Sequence, residues 1–63
     1  MAKKKAVFEV LKNSEGQFYF TLVAPNGEII LTSEMYIAKA SALKGIRATK
    51  KYAKTAKVED KST

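Results

Sequence analysis

The chain of 63 residues contains no cysteine, histidine or tryptophan, one proline and three glycines. Each absence closes a route. Disulfides need cysteine, and the usual ligands of structural zinc are cysteine and histidine. A domain this short buries only about 60% of the surface its unfolded chain exposes, so its stability is thin. Small folds commonly add disulfides, a metal or oligomerisation, and here only oligomerisation remains. Histidine is also the commonest general acid or base at neutral pH, and cysteine a ready nucleophile. The glycines stand singly at Gly16, Gly27 and Gly45, so there is no glycine-rich phosphate loop. Glu59-Asp60 lacks the regular oxygen-ligand spacing of a calcium loop. No cofactor or metal is expected, and an enzyme is the class the composition supports least.

Long apolar runs are missing too. No stretch approaches the ~20 apolar residues of a membrane span. The start, Met1 to Lys5, is basic, but only Ala6, Val7 and Phe8 precede Glu9. That is far short of the ~7–15 apolar residues at the centre of a signal peptide. The expectation is a cytoplasmic protein without a membrane partner, residues 1–5 forming a frayed, solubilising start.

Acid is absent where base is dense. Residues 1–36 balance Lys3, Lys4, Lys5 and Lys12 against Glu9, Glu15, Glu28 and Glu34. Residues 37–57 carry Lys39, Lys44, Arg47, Lys50, Lys51, Lys54 and Lys57 and no carboxylate. The tail, with Glu59, Asp60 and Lys61, returns one negative charge, so all the excess behind the formal net charge of +6 lies in one segment, a pattern that suits acidic partners.

The elements follow from periodicity. Residues 6–12 read as a strand with Phe8 and Val10 on one face, and Asn13-Ser14-Glu15-Gly16 as a turn. Residues 17–24 alternate, Phe18, Phe20, Leu22 and Ala24 against Gln17, Tyr19, Thr21 and Val23. Pro25-Asn26-Gly27 admits two hairpins. A two-residue Asn-Gly loop would make Pro25 a paired position, where its missing N–H forfeits a ladder bond. A type I turn with Gly27 in the left-handed region, closing on a bulge, uses each residue as its chemistry prefers. We favour the bulge, which sets Leu22 opposite Ile30 within a strand at 28–33. It turns Ile29 and Leu31 to the second face, which is then apolar and needs a cover.

Residues 37–54 are rich in Ala and Lys and read as a helix. At ~100° per residue, Ala38, Ala42, Gly45, Ile46, Thr49 and Ala53 share one side. The cations Lys39, Lys44, Arg47, Lys50, Lys51 and Lys54 fill an arc of roughly 140° opposite, with Leu43 among them. Gly45 is unfavourable in a helix interior by about 1 kcal/mol against Ala, which implies a packing reason. Ala56 to Lys61 reads either as a short edge strand or as a loose end.

The pattern of Phe8-Glu9, Gly16, Phe18, Phe20, Leu22, Ala24, Asn26-Gly27-Glu28, Ser33-Glu34, Tyr36, Lys39-Ala40, Gly45-Ile46 and Lys50-Lys51 resembles the YegP-like proteins, a family of uncharacterised function. Ile37 and Ala38 depart from the small hydroxyl residues of that pattern, which bears on the helix N-cap, and Thr49 replaces a larger apolar residue. The resemblance covers nearly the whole chain, read as a single domain over 1–63. It implies an α+β fold: a β-β-β-α-β unit with an antiparallel sheet and one helix packed on it. Such units occur in pairs, so this single copy implies a homodimer in which a C-terminal strand at 57–61 is exchanged. The resemblance brings no catalytic residue, substrate or cofactor.

Two functional classes then compete. The first is a structural or interaction module whose partner is itself. The second is sequence-nonspecific binding of nucleic acid or another polyanion through Lys44, Arg47, Lys50, Lys51 and Lys54, with Tyr19 and Tyr52 as candidate base-stacking residues. Against it stands the plain reading of a lysine-rich solubilising face. The one compact polar cluster, Ser33-Glu34-x-Tyr36, is read as a strand-to-helix connection in which Ser33 satisfies backbone donors.

Overall fold

The structure, a computed structural model, describes residues 5–62. The basic start expected at residues 1–5 lies, apart from Lys5, outside the described residues. Three strands, β1 (Val7–Lys12), β2 (Phe18–Val23) and β3 (Ile29–Thr32), precede one helix, α1 (Lys39–Ala53). They form an antiparallel sheet in the order β1-β2-β3, so β2 is central and both outer edges are unpaired among the described residues. The helix packs on one face, mainly over β2. This is the α+β arrangement of three strands and a helix that the sequence predicts. Each element is one to three residues shorter than the sequence pattern, β1 at its start and the others at both ends.

The β1–β2 connection is closed by Asn13, whose Oδ1 accepts the backbone N–H of Glu15 and of Gln17, both at 2.9 Å. In the β2–β3 turn, Gly27 N–H donates to Ala24 O at 2.9 Å and Ala24 N–H to Glu28 O at 2.7 Å. Gly27 has φ +92°, a conformation that L side chains rarely adopt. The turn is therefore the bulged hairpin expected from Pro25-Asn26-Gly27.

The register beyond the turn corrects the expectation. Val23 pairs with Ile29, but Leu22 pairs with Leu31, so Ile30 is an extra residue in a second bulge. Leu31, expected on the second face, shares the helix-covered face with Leu22 and is half-buried. Ile30, expected in the core, is exposed. Because side chains alternate with a period of two, one inserted residue moves every later one to the other face.

Ladder pairing continues past β3 with a substitution. Ser33 Oγ accepts the Phe20 N–H at 2.9 Å and donates to Glu34 O at 2.8 Å, while Ser33 N–H donates to Phe20 O at 2.8 Å. Tyr36 then bridges Phe18 with two 2.7 Å backbone bonds. Its ring stacks on Phe20, centroids 6.3 Å apart, and Phe8 meets Phe20 edge-on at 5.9 Å. A Cβ at Gly45 would lie 2.6 Å from Tyr36 Oη and 3.0 Å from Phe20 Cε2. Glycine is what lets the helix sit this close to the aromatic layer.

The helix begins at Lys39, two residues later than the composition suggests, after an extended Ala38 that supplies no side-chain cap. Ala42 is fully buried, and Gly45, Ile46 and Thr49 are half-buried. Thr49 satisfies its own hydroxyl by donating to Gly45 O at 2.8 Å. Ala38 and Ala53, expected on the packed stripe, are exposed because the stripe runs beyond the sheet at both ends. Among the described residues the buried apolar core is Phe20 and Ala42, a thin one.

Among the described residues no layer covers the sheet's other face. Val7, Leu11 and Ile29 are exposed there, and Tyr19 and Val23 half-exposed. Thr21, at its centre, is 4% exposed, and its hydroxyl has no hydrogen-bond partner among the described residues.

Candidate functional site

Two surfaces stand apart from the packed unit. The first is the outer face of α1. Arg47, Lys50, Lys51 and Lys54 follow one another at helical i, i+3, i+4, i+7 spacing and line a shallow concavity of about 400 Å³. Lys44, expected with them, is exposed on the same arc but does not line the concavity. Among the described residues none of these cations pairs with a carboxylate; the ion pair there is Lys61–Glu59, 3.7 Å apart in the tail. The cause is sequence order: an acid-free helix offers no carboxylate at i±3 or i±4, and the sheet's acids lie beyond the helix. Lys51 Nζ stands 5.3 Å from the centre of the Tyr52 ring, which is 63% exposed. Tyr19 lies on the sheet's open face and is not brought to this site.

The second surface is the arm that follows α1. From Ala56 to Ser62 the chain forms neither helix nor strand and every residue is exposed, Val58 to 97%. The strand expected at 57–61 is not formed: the segment pairs with no sheet edge among the described residues. Asp60 accepts hydrogen bonds from the hydroxyl and then the backbone N–H of Ser62, and these hold its carboxyl below the ordinary carboxylate range. A further concavity of about 350 Å³ lies beside the β2–β3 turn, lined by Lys5, Val7, Glu9, Val23 and the turn residues.

The polar cluster around Ser33 is consumed by backbone pairing, as the strand-to-helix reading expects. Tyr36 is a packing residue that the sequence pattern did not separate from that cluster. Among the described residues, no group of three or more acidic side chains gathers as a metal site. No helix there is long and apolar enough to cross a membrane.

These features define a small α+β module with an open sheet, an extended arm and a basic helix. A family model described as a domain of unknown function (DUF1508) matches residues 13–60, and the chain belongs to that family. The UPF0339 protein PA0329 of Pseudomonas aeruginosa is 59% identical over 46 residues, covering 73% of this chain and 42% of that protein. The UPF0339 protein YegP of Escherichia coli K12 is 56% identical over 43 residues, covering 68% of this chain and 39% of its own. The chain thus spans about two fifths of the length of these relatives. A solution NMR structure of a protein from Haloferax volcanii superposes with a TM-score of 0.81 at 34% identity, covering 90% of this chain and 97% of that one. None of these names states an enzymatic activity.

Proposed function

We propose that the protein is a non-enzymatic structural or interaction module of the cytoplasm that works as a homodimer, each arm pairing as a strand with the other copy. The observation that carries this reading is the arm, a segment without helix or strand and with Val58 97% exposed, in a chain whose sheet edges are unpaired among the described residues. Surface area supports it. A compact monomer of 7.0 kDa exposes about 4,000 Å². This chain exposes 5567 Å², an excess of about 1,500 Å². Shape agrees, since the radius of gyration is 13.7 Å against about 11 Å for a compact chain of this length. The longer relatives have room for a second unit in one chain, as a paired arrangement requires.

Light scattering should give twice the chain mass of 7.0 kDa, and the thermal midpoint should rise with protein concentration. Deletion of residues 56–63 should lower both mass and midpoint. A stable monomer whose midpoint is independent of concentration would overturn the reading.

A further inference from the structure

We propose that the outer face of α1 is a binding site for the phosphate backbone of nucleic acid, single-stranded in preference to duplex. Arg47, Lys50, Lys51 and Lys54 converge on one concavity and have no carboxylate to neutralise them among the described residues. They climb seven residues of helix, about 10 Å, so successive charges can track one strand. Arginine supplies a planar fork for phosphate oxygens and the lysines supply mobile point charges. Tyr52, exposed on the last turn, does not line the concavity but holds Lys51 against its ring, on the flank of the basic arc. An aromatic face beside a basic track is the pairing that grips unpaired bases without reading their sequence.

The proposal does not rest on the dimer. Its test uses labelled mixed-sequence oligonucleotides, single-stranded and duplex, with the full chain and fluorescence anisotropy. Four phosphate contacts give a log–log salt slope of about −2.8 on single strands and −3.6 on duplex. Affinity should therefore fall on the order of a hundredfold between 50 and 200 mM salt. Arg47→Glu with Lys50→Glu should abolish binding, leave the mass unchanged and raise the thermal midpoint, since both side chains are exposed and the reversal turns their i, i+4 repulsions with Lys51 and Lys54 into attractions. Should that variant fail to fold, the neutral pair Arg47→Gln and Lys50→Gln should halve the salt slope. Tyr52→Ala should weaken single-strand binding about tenfold and leave duplex binding unchanged. The proposal is overturned by absent binding at 50 mM salt, by unchanged affinity in the charge variants, or by tighter binding to phosphatidylserine vesicles than to either oligonucleotide. Equal single-strand and duplex affinity, unmoved by Tyr52→Ala, would overturn the strand preference. Light scattering on the same samples reports the dimer separately.

Discussion

Replacing Gly45 with alanine sets two effects of similar size against each other. In an open helix interior the change would stabilise by about 1 kcal/mol, because glycine loses the most backbone freedom on folding. Here the new methyl would sit 2.6 Å from Tyr36 Oη, 3.2 Å from Tyr36 Cζ and 3.0 Å from Phe20 Cε2. Phe20 is 3% exposed and held between Phe8 and Tyr36, so it has little room to yield. The Tyr36 backbone is fixed by its two 2.7 Å bonds to Phe18, so its ring can only swing, losing the stack on Phe20. Overpacking of this kind costs about 1–3 kcal/mol, and the upper part of that range applies where both neighbours are pinned. The net expectation is destabilisation by about 1–2 kcal/mol, measured by urea unfolding at one fixed protein concentration. In a domain of this size that lowers the thermal midpoint by roughly 4–8 °C per kcal/mol. Tyr36→Phe removes the nearest atom, so the double variant should recover more than the single effects add to, a coupling of about 0.5 kcal/mol or more. A Gly45→Ala variant stabilised by the full propensity gain would refute the close-approach argument.

Ser33→Ala should destabilise by about 1–3 kcal/mol, because it strips the acceptor from a buried Phe20 N–H; faster hydrogen exchange at that amide would identify the cause. Thr21→Val should stabilise by on the order of 1 kcal/mol in the same unfolding assay, since it replaces an unpartnered buried hydroxyl with a methyl. A loss instead would mean that the hydroxyl is hydrogen-bonded in the assembled protein. Ala38→Ser gives α1 the side-chain cap it lacks and should stabilise by about 1 kcal/mol, read as a rise in thermal midpoint. Ser62→Ala should raise the Asp60 pKa towards the ordinary carboxylate value, because both donors come from Ser62 and the hydroxyl is lost; an NMR titration of the Asp60 carboxyl measures it.

What could be read in advance follows from how local each signal is. The Phe18, Phe20, Leu22 alternation and the Pro25-Asn26-Gly27 turn are decided by neighbours in sequence, and both are realised. Gly45 in an alanine-rich helix announced a close contact, although not with Tyr36. The Ile30 bulge had no such marker. Ile29, Ile30 and Leu31 are three apolar residues in a row, and the choice among them is made by pairing with β2 and by the helix above, which are tertiary terms. Tyr36 was hidden for a related reason: its polar tip suggested the Ser33 cluster, while its ring and backbone serve the aromatic layer. At the basic face, helical spacing placed Arg47, Lys50, Lys51 and Lys54 on one arc. That Lys44 falls outside the concavity depends on side-chain directions that periodicity does not contain.

The charge pattern of α1 is harder to explain by solubility than by a ligand. Arg47–Lys51 and Lys50–Lys54 are like-charged i, i+4 pairs, and Arg47–Lys50 and Lys51–Lys54 are i, i+3 pairs. At 0.2–0.5 kcal/mol each, these repulsions destabilise the helix by about 1–2 kcal/mol, a large share for a thin core. Lys50 and Lys51 recover part of it by lying in the last turn, where cations oppose the helix dipole. Interspersed glutamates would keep the face soluble and turn the same spacings into attractions. A polyanion would do so on binding, relieving the repulsion and adding its own attraction. Salt therefore acts with opposite signs on the two properties. Raising ionic strength screens the like-charge pairs and should raise the midpoint of the free protein, while the same change dissociates an oligonucleotide. Melting the chain across a salt series with and without a single-stranded oligonucleotide should give two curves that converge as salt rises. Curves that coincide at every salt concentration would leave the cations of α1 without a ligand of this class.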